Sequence, residues 1–140
     1  MSALFFTRQN SGLRVWADMN GVHIAAMLKV EILKESEYFE VLHFDLTDLE
    51  GAEKWRTFFA KVYKADRNVD DDYFFIDPRL GDIRLGSVLI KDRETPVAIK
   101  MWPTDEDHGG QWWGMAMRLG EITRIMELIM SYFQPLYRKQ

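Results

Sequence analysis

Two strand-like segments place a basic residue two positions before a tryptophan: Arg14 and Trp16 in one, Lys100 and Trp102 in the other. Residues two apart in an extended strand lie on the same face of a sheet. A cation beside an exposed ring suits single-stranded nucleic acid, because the cation binds a phosphate while the ring stacks on an unpaired base. The alternative is structural, since tryptophan and basic side chains on a sheet also pack under helices and in dimer interfaces.

A third segment, residues 111–118, adds small residues to this pattern. Strand alternation puts Trp112 and Arg118 on one face, with Gly114 and Ala116 between them. Small side chains there would let a nucleic-acid strand approach the sheet. Because such segments recur in both halves of the chain, we favour the binding interpretation. Strand parity and charge alone add three basic residues to the predicted contacts: Lys29, Arg84 and Lys91.

Patterns for catalysis and metal binding are weak. The three histidines lack the helical spacing of a zinc protease, and the sequence has no glycine-rich phosphate loop and no Gly-x-Ser-x-Gly elbow. Asp105, Asp107 and His108 could hold a hard cation through carboxylate oxygens. Charged clusters of this kind are more typical of a solvated hairpin loop. We therefore predict that the protein is not an enzyme and has no catalytic residue, no metal site and no cofactor.

Length and composition favour one domain, residues 1–140, with 47% apolar and 14% aromatic residues to build a core. No apolar run approaches the roughly 18–20 residues that span a bilayer, so we expect no membrane partner. The net charge of −4 does not itself indicate nucleic acid, but clustered acidic residues leave room for a basic face. The absence of cysteine and of a secretory signal predicts a protein that is not secreted and that resides in the cytoplasm or in whichever compartment holds its nucleic acid.

Two amphipathic helices follow from apolar residues at three- and four-residue steps. The first should begin at Thr47 or Asp48 and end near Asp66; if Thr47 is the cap, Glu50 completes a capping box. The second should run from about residue 120 to 133, with Pro135 marking its end.

Four strand-like runs precede each helix. They are residues 4–7, 13–17, a stretch within 22–33 and 38–46, then 73–76, 83–91, 97–102 and 112–117. Asn20-Gly21 predicts a hairpin turn, and residues 24–28 could alternatively be helical. The fold class is therefore α+β: two successive ββββα units, about 1–66 and 67–140. We expect antiparallel sheets, each covered by its C-terminal helix, with the other sheet face free to bind.

The stretch 97–128 has a recognisable order of residues: Ile99-Lys100-Met101-Trp102-Pro103, an acidic loop ending in glycine, Gly114-Met115-Ala116-Met117, and Glu121-Ile122 opening a helix. It resembles the end of a domain of the transcriptional positive-cofactor-four type. The doubled order of elements is similar to that of the Whirly and Pur-alpha proteins. The resemblance implies a module that binds single-stranded DNA through its sheet and dimerises through its helices. By this resemblance, we expect nucleic acid to contact Lys100, Trp102 and the neighbourhood of Trp112 and Gly114.

The sequence thus predicts a single-stranded DNA-binding protein acting in replication, recombination, repair or transcription. Strand-borne Lys and Arg would bind phosphates, and Trp would stack on bases. RNA remains open as the ligand, because the ribose hydroxyl contact is not readable from spacing. Large apolar helix residues favour a homodimer or higher oligomer. The alternative is a protein-interaction module or inhibitor on the same scaffold, using acidic clusters and exposed aromatic residues.

Overall fold

The computed structural model describes residues 3–33, 35–64, 74–80, 83–89, 97–103 and 113–137. The first half holds β1 (Ala3–Thr7), β2 (Ser11–Asp18), β3 (Gly21–Ile32), β4 (Glu35–Leu46) and helix α1 (Leu49–Lys64). The second half holds β5 (Phe74–Leu80), β6 (Ile83–Leu89), β7 (Val97–Pro103), β8 (Trp113–Met117) and helix α2 (Leu119–Tyr137). The predicted α+β class is confirmed.

Strands β1 to β4 form one antiparallel sheet in chain order, and β5 to β8 form a second. The segment 24–28, for which a helix was the alternative, lies within β3. The predicted hairpin turn is also confirmed, because Asp18 pairs with Gly21 across a two-residue connection. Gly21 has a φ of 143°, and a Cβ atom there would lie 2.3 Å from the Leu46 carbonyl oxygen. Glycine is therefore required at this turn.

Helix α1 is capped by Asp48 and not by Thr47. The Asp48 carboxylate accepts a hydrogen bond of 2.8 Å from the Gly51 amide, and the Asp48 carbonyl accepts one of 3.1 Å from the Ala52 amide. The carboxylate satisfies an amide that has no backbone partner in the first turn, and the carbonyl accepts the first regular hydrogen bond of the helix. In the part of this helix whose side chains the structure describes, Ala52 and Trp55 are buried and Phe58 and Phe59 fully so, while Tyr63 is exposed.

Helix α2 extends beyond its predicted end. Pro135 lies inside the helix, which continues to Tyr137, so the prediction that this proline marks the end is wrong. Proline removes one hydrogen bond to the carbonyl four residues earlier, here that of Ser131. Because residues 131 and 135 are both exposed, water can satisfy that carbonyl and the last turn persists. Within the described residues, no helix is both long and apolar enough to cross a membrane.

The core joins the two halves. One cluster of buried residues combines Leu13 and Ile24 of the first sheet with Phe59 of α1 and Ile125 and Phe133 of α2. Helices α1 and α2 contact each other, and α2 also contacts β2 and β3. We expected each helix to cover the sheet of its own unit, but α2 reaches the first sheet as well. The wide apolar face of α2 makes this packing possible.

Polar contacts reinforce this junction. Arg8 donates from Nε to the carbonyl oxygen of Ala116 at 2.9 Å and forms an ion pair with Glu121 at the start of α2. The buried Trp113 donates from its ring nitrogen to the Met27 carbonyl oxygen at 2.8 Å. Each contact ties the first sheet to β8 or α2.

Candidate nucleic-acid interface

Alternation along β2 separates two faces of the first sheet. Leu13 and Val15 are fully buried in the core, whereas Arg14 is exposed and Trp16 half-buried on the opposite side. The predicted parity of this segment is therefore confirmed. We call the side of β1 to β4 that carries Arg14 and Trp16 the outer face, and the side that carries Leu13 the inner face.

Strand register brings two histidines to Trp16 on the outer face. His23 pairs directly with Trp16, and its ring stacks on the indole with centroids 5.1 Å apart and an interplanar angle of 26°. His43 meets the same indole edge-on at 5.5 Å. The Arg14 guanidinium carbon lies 4.6 Å from the Trp16 ring centroid, within the range of a cation–π contact. We call these four residues the ring cluster.

A small residue supports the ring cluster. Ala25 pairs with Arg14 on one side and with His43 on the other, so it lies on the outer face. Its exposed fraction is nevertheless only 1%. The larger side chains of the ring cluster therefore cover it, and a bulkier residue at this position would displace them.

Three carboxylates surround the histidines. His23 Nε2 lies 2.8 Å from Asp18 and Nδ1 lies 2.5 Å from Asp45. His43 Nε2 lies 2.9 Å from Asp45, and Nδ1 lies 2.8 Å from Glu40. The hydrogen bond with Asp18 is the main cause that raises the pKa of His23 above its usual value. The His23 contact lowers the pKa of both Asp18 and Asp45. The protonated imidazole is thus favoured on this face.

Aromatic side chains continue along the outer face beyond Trp16. Phe5 and Tyr38 meet edge-to-face with centroids 5.2 Å apart, and Phe5 is 46% exposed. The Tyr38 ring lies over Gly12, where a Cβ atom would come within 3.2 Å of it. Lys29 is half-buried and pairs with Tyr38 across β3 and β4, so their side chains share the outer face. A second basic and aromatic group therefore lies on the same sheet.

The structure describes only part of the predicted second-half site. In β7, Ile99 and Met101 are fully buried while Lys100 is partly exposed, which confirms the predicted parity. Lys100 pairs with the partly exposed Gly114 of β8. The backbones of Arg84 and Trp102 pair with each other across β6 and β7. Their side chains, and the whole of Trp112 and Lys91, lie outside the described residues.

The structure thus places Arg14, Trp16 and Lys29 on one face and pairs Lys100 with Gly114 in the other sheet. The sequence prediction did not include His23 or His43 in the site. A signal for His23 was present, because a two-residue turn at Asn20-Gly21 fixes a register that sets His23 opposite Trp16.

Compared with known proteins, the chain matches no family model, and no curated protein matches it at a significant level. The resemblance to the positive-cofactor-four, Whirly and Pur-alpha group therefore stays a prediction. The interpretation of the site depends on the geometry of the outer face.

Proposed function

We propose that this chain is a non-enzymatic single-stranded DNA-binding protein, and that the outer face of its first sheet is a binding surface. The observation that carries the proposal is the ring cluster, where the exposed Arg14 lies against Trp16 on the side of the sheet opposite the core. Extended single strands bind proteins through this combination of a cation and a ring. We further propose that the chain is one domain, residues 1–140, built from two ββββα repeats.

The outer face offers a path for several nucleotides. The Arg14 guanidinium would bind a phosphate, and bases would stack on exposed parts of Trp16, Phe5 and Tyr38. Lys29, beside Tyr38, would bind a phosphate farther along the strand. Each stacked base would contribute about 1–3 kcal/mol without sequence preference. Lys100, Gly114, Trp102 and the other second-half candidates would extend the path onto the second sheet.

Carboxylates on the outer face oppose phosphate binding unless their charge is offset. Asp18 and Asp45 both contact His23, whose raised pKa favours the cationic imidazole. Protonated His23 offsets part of this negative charge. Affinity for single strands should consequently increase as the pH falls through the pKa of His23.

The biological setting proposed for this activity is replication, recombination, repair or transcription, with the protein acting as a homodimer or higher oligomer in the cytoplasm. Coating a single strand without reading its sequence requires no catalytic residue. RNA is an equally accessible ligand for stacking and phosphate contacts, so DNA and RNA strands must be compared directly.

Protein binding is the second candidate function, and one feature favours it. Beyond the core, the β3–β4 hairpin carries large apolar side chains whose exposed fractions lie between 40% and 49%: Leu28, Val30, Ile32, Phe39 and Val41. Contiguous exposed apolar residues are typical of surfaces that contact another protein. Leu28, Val30 and Ile32 alternate with Lys29 along β3, so they lie on the side opposite the outer face and would form a separate interface.

Fluorescence anisotropy tests the proposal. A labelled single-stranded 30-mer should bind the full chain, resist competition by duplex and bind more weakly as salt increases, because phosphate contacts release counterions. Arg14→Ala should weaken binding, whereas Lys54→Ala on the exposed side of α1 should not. Absence of binding even at low salt would overturn the proposal and favour the protein-binding role.

A further inference from the structure

The two histidines of the ring cluster each direct one imidazole nitrogen at the same oxygen of Asp45, which lies beside the cluster. The Asp45 Oδ1 atom lies 2.5 Å from His23 Nδ1 and 2.9 Å from His43 Nε2. The three candidate ligand atoms all lie within 4.8 Å of one another. In a tetrahedral zinc site with bonds of about 2.0–2.2 Å, neighbouring ligand atoms are about 3.3 Å apart. Small side-chain rotations would therefore bring this set to coordination distance.

The second nitrogen of each imidazole also has a carboxylate partner. His23 Nε2 lies 2.8 Å from Asp18, and His43 Nδ1 lies 2.8 Å from Glu40. Metal-bound histidines usually donate their remaining N–H to a carboxylate, which fixes the tautomer and makes the ligating nitrogen more basic. Both histidines here have that support, and the two supporting carboxylates are separate from the one at the centre.

Charge on this part of the outer face also favours a cation. Asp18, Glu40 and Asp45 contribute three negative charges around two imidazoles. A divalent ion would replace the protons between the imidazoles and Asp45. Asp18 and Glu40 would still accept hydrogen bonds from the other imidazole nitrogens. The resulting site would carry less net charge than the same groups with neutral imidazoles.

The sheet holds the three side chains in place. His23 and Asp45 are direct partners across β3 and β4, and His43 lies two residues from Asp45 on the same face. Ligands on paired strands are positioned more precisely than ligands on loops. The Trp16 ring, in contact with both imidazoles, further limits their rotation.

We propose that His23 Nδ1, His43 Nε2 and the Asp45 carboxylate bind a divalent transition-metal ion such as Zn²⁺. Two imidazoles and one carboxylate suit zinc, nickel or copper better than magnesium or calcium, which prefer oxygen ligands alone. Three protein ligands leave a coordination position open towards solvent. This site was not expected from the sequence, and it does not depend on nucleic-acid binding.

Isothermal titration of the chelator-treated full chain with ZnCl₂, without nucleic acid, tests the site. We expect one saturable Zn²⁺ per chain and no comparable binding of Mg²⁺. His43→Ala should weaken binding at least about 100-fold, and Glu40→Gln by about 10–100-fold, as for loss of a supporting carboxylate. His108→Ala is the matched control, because His108 belongs to the acidic segment that the sequence offered as another cation site. This variant should bind Zn²⁺ as tightly as the unmodified chain does.

Trp16 provides a second readout. Because its ring centroid lies 5.1 Å and 5.5 Å from the two imidazole centroids, bound Cu²⁺ should quench its fluorescence. The quenching should disappear in His43→Ala. Measuring the unfolding midpoint of this variant in chelator shows whether it remains folded. Absence of saturable Zn²⁺ binding would overturn the proposal, as would binding that is lost in His108→Ala but kept in folded His43→Ala. Neither result would bear on single-strand binding, which is measured with chelator present.

Discussion

The two faces of the first sheet are made by the same strands but have opposite environments. On the inner face, Leu13, Val15 and Ile24 are fully buried against the helices. On the outer face, Arg14 and Trp16 alternate with them and contact charged and aromatic groups. Because one backbone positions both sets, the core holds the outer face in register. Inner-face substitutions should therefore change stability, and outer-face substitutions should change binding.

The largest expected effect is on the inner face. Ile24→Ala should lower the free energy of unfolding by about 2–5 kcal/mol, because it removes buried methyl groups and leaves a cavity. Urea denaturation followed by circular dichroism measures this loss. Arg14→Ala, on the neighbouring strand but exposed, should cost no more than about 1 kcal/mol, the upper value for an exposed cation–π contact. Equal losses for the two variants would contradict the division into a structural and a binding face.

The second largest effect on stability is expected at the turn between β2 and β3, which sets the register of these strands. Gly21→Ala should destabilise the fold by about 1–3 kcal/mol through backbone strain alone, with a further cost from the clash with the Leu46 carbonyl. Gly120→Ala is the matched control, because a Cβ atom there meets nothing within 4 Å and alanine favours the helix. Thermal unfolding should show a lower midpoint for the first variant and an equal or higher one for the second. A tolerated Gly21→Ala would show that the register does not depend on this turn.

On the outer face, Trp16→Ala should reduce single-strand affinity by about 1–3 kcal/mol, or roughly 5–150-fold in Kd. Anisotropy titrations in chelator measure this change. The loss in unfolding free energy should be smaller than that of Ile24→Ala, since Trp16 is only half-buried. Unchanged affinity in a folded Trp16→Ala would remove Trp16 from the binding surface and leave its role structural.

The smallest effect concerns pH. In chelator, the folded-state pKa of His23 should lie above its usual value of 6.5, because Asp18 and Asp45 stabilise the imidazolium. Its stabilising contribution is then fully present below the unfolded pKa and is lost as the pH rises through the folded value. The lowered pKa of Asp45 acts in the other direction, so its contribution is lost as the pH falls through that folded value. Nuclear magnetic resonance titration of the His23 ring checks the sign, and a midpoint at or below 6.5 would contradict it.

Local patterns were sufficient to predict parts of both faces. Alternation separated Leu13 and Val15 from Arg14 and Trp16, and helical periodicity located the buried stripes of α1 and α2. The packing of α2 on the first sheet could not be predicted, because it depends on distant contacts such as that between Arg8 and Glu121.

The ring cluster shows a similar limit. Turn chemistry at Asn20-Gly21 could have set His23 opposite Trp16. The approach of His43 also depends on the pairing of β3 with β4, whose register shifts between Ala26 and Met27. A shift of this kind changes which residues are opposite each other, and no residue pattern predicted it here.

Ultraviolet cross-linking of the full chain to oligothymidine, followed by mass spectrometry of the linked peptides, tests the central claim most directly. If the outer face of the first sheet binds single strands, cross-links should map to peptides containing Phe5, Trp16 or Tyr38, and excess unlabelled single strand should suppress them. Cross-links on the second sheet as well would extend the surface. Cross-links confined to the helices, with none on β1 to β4, would contradict the account.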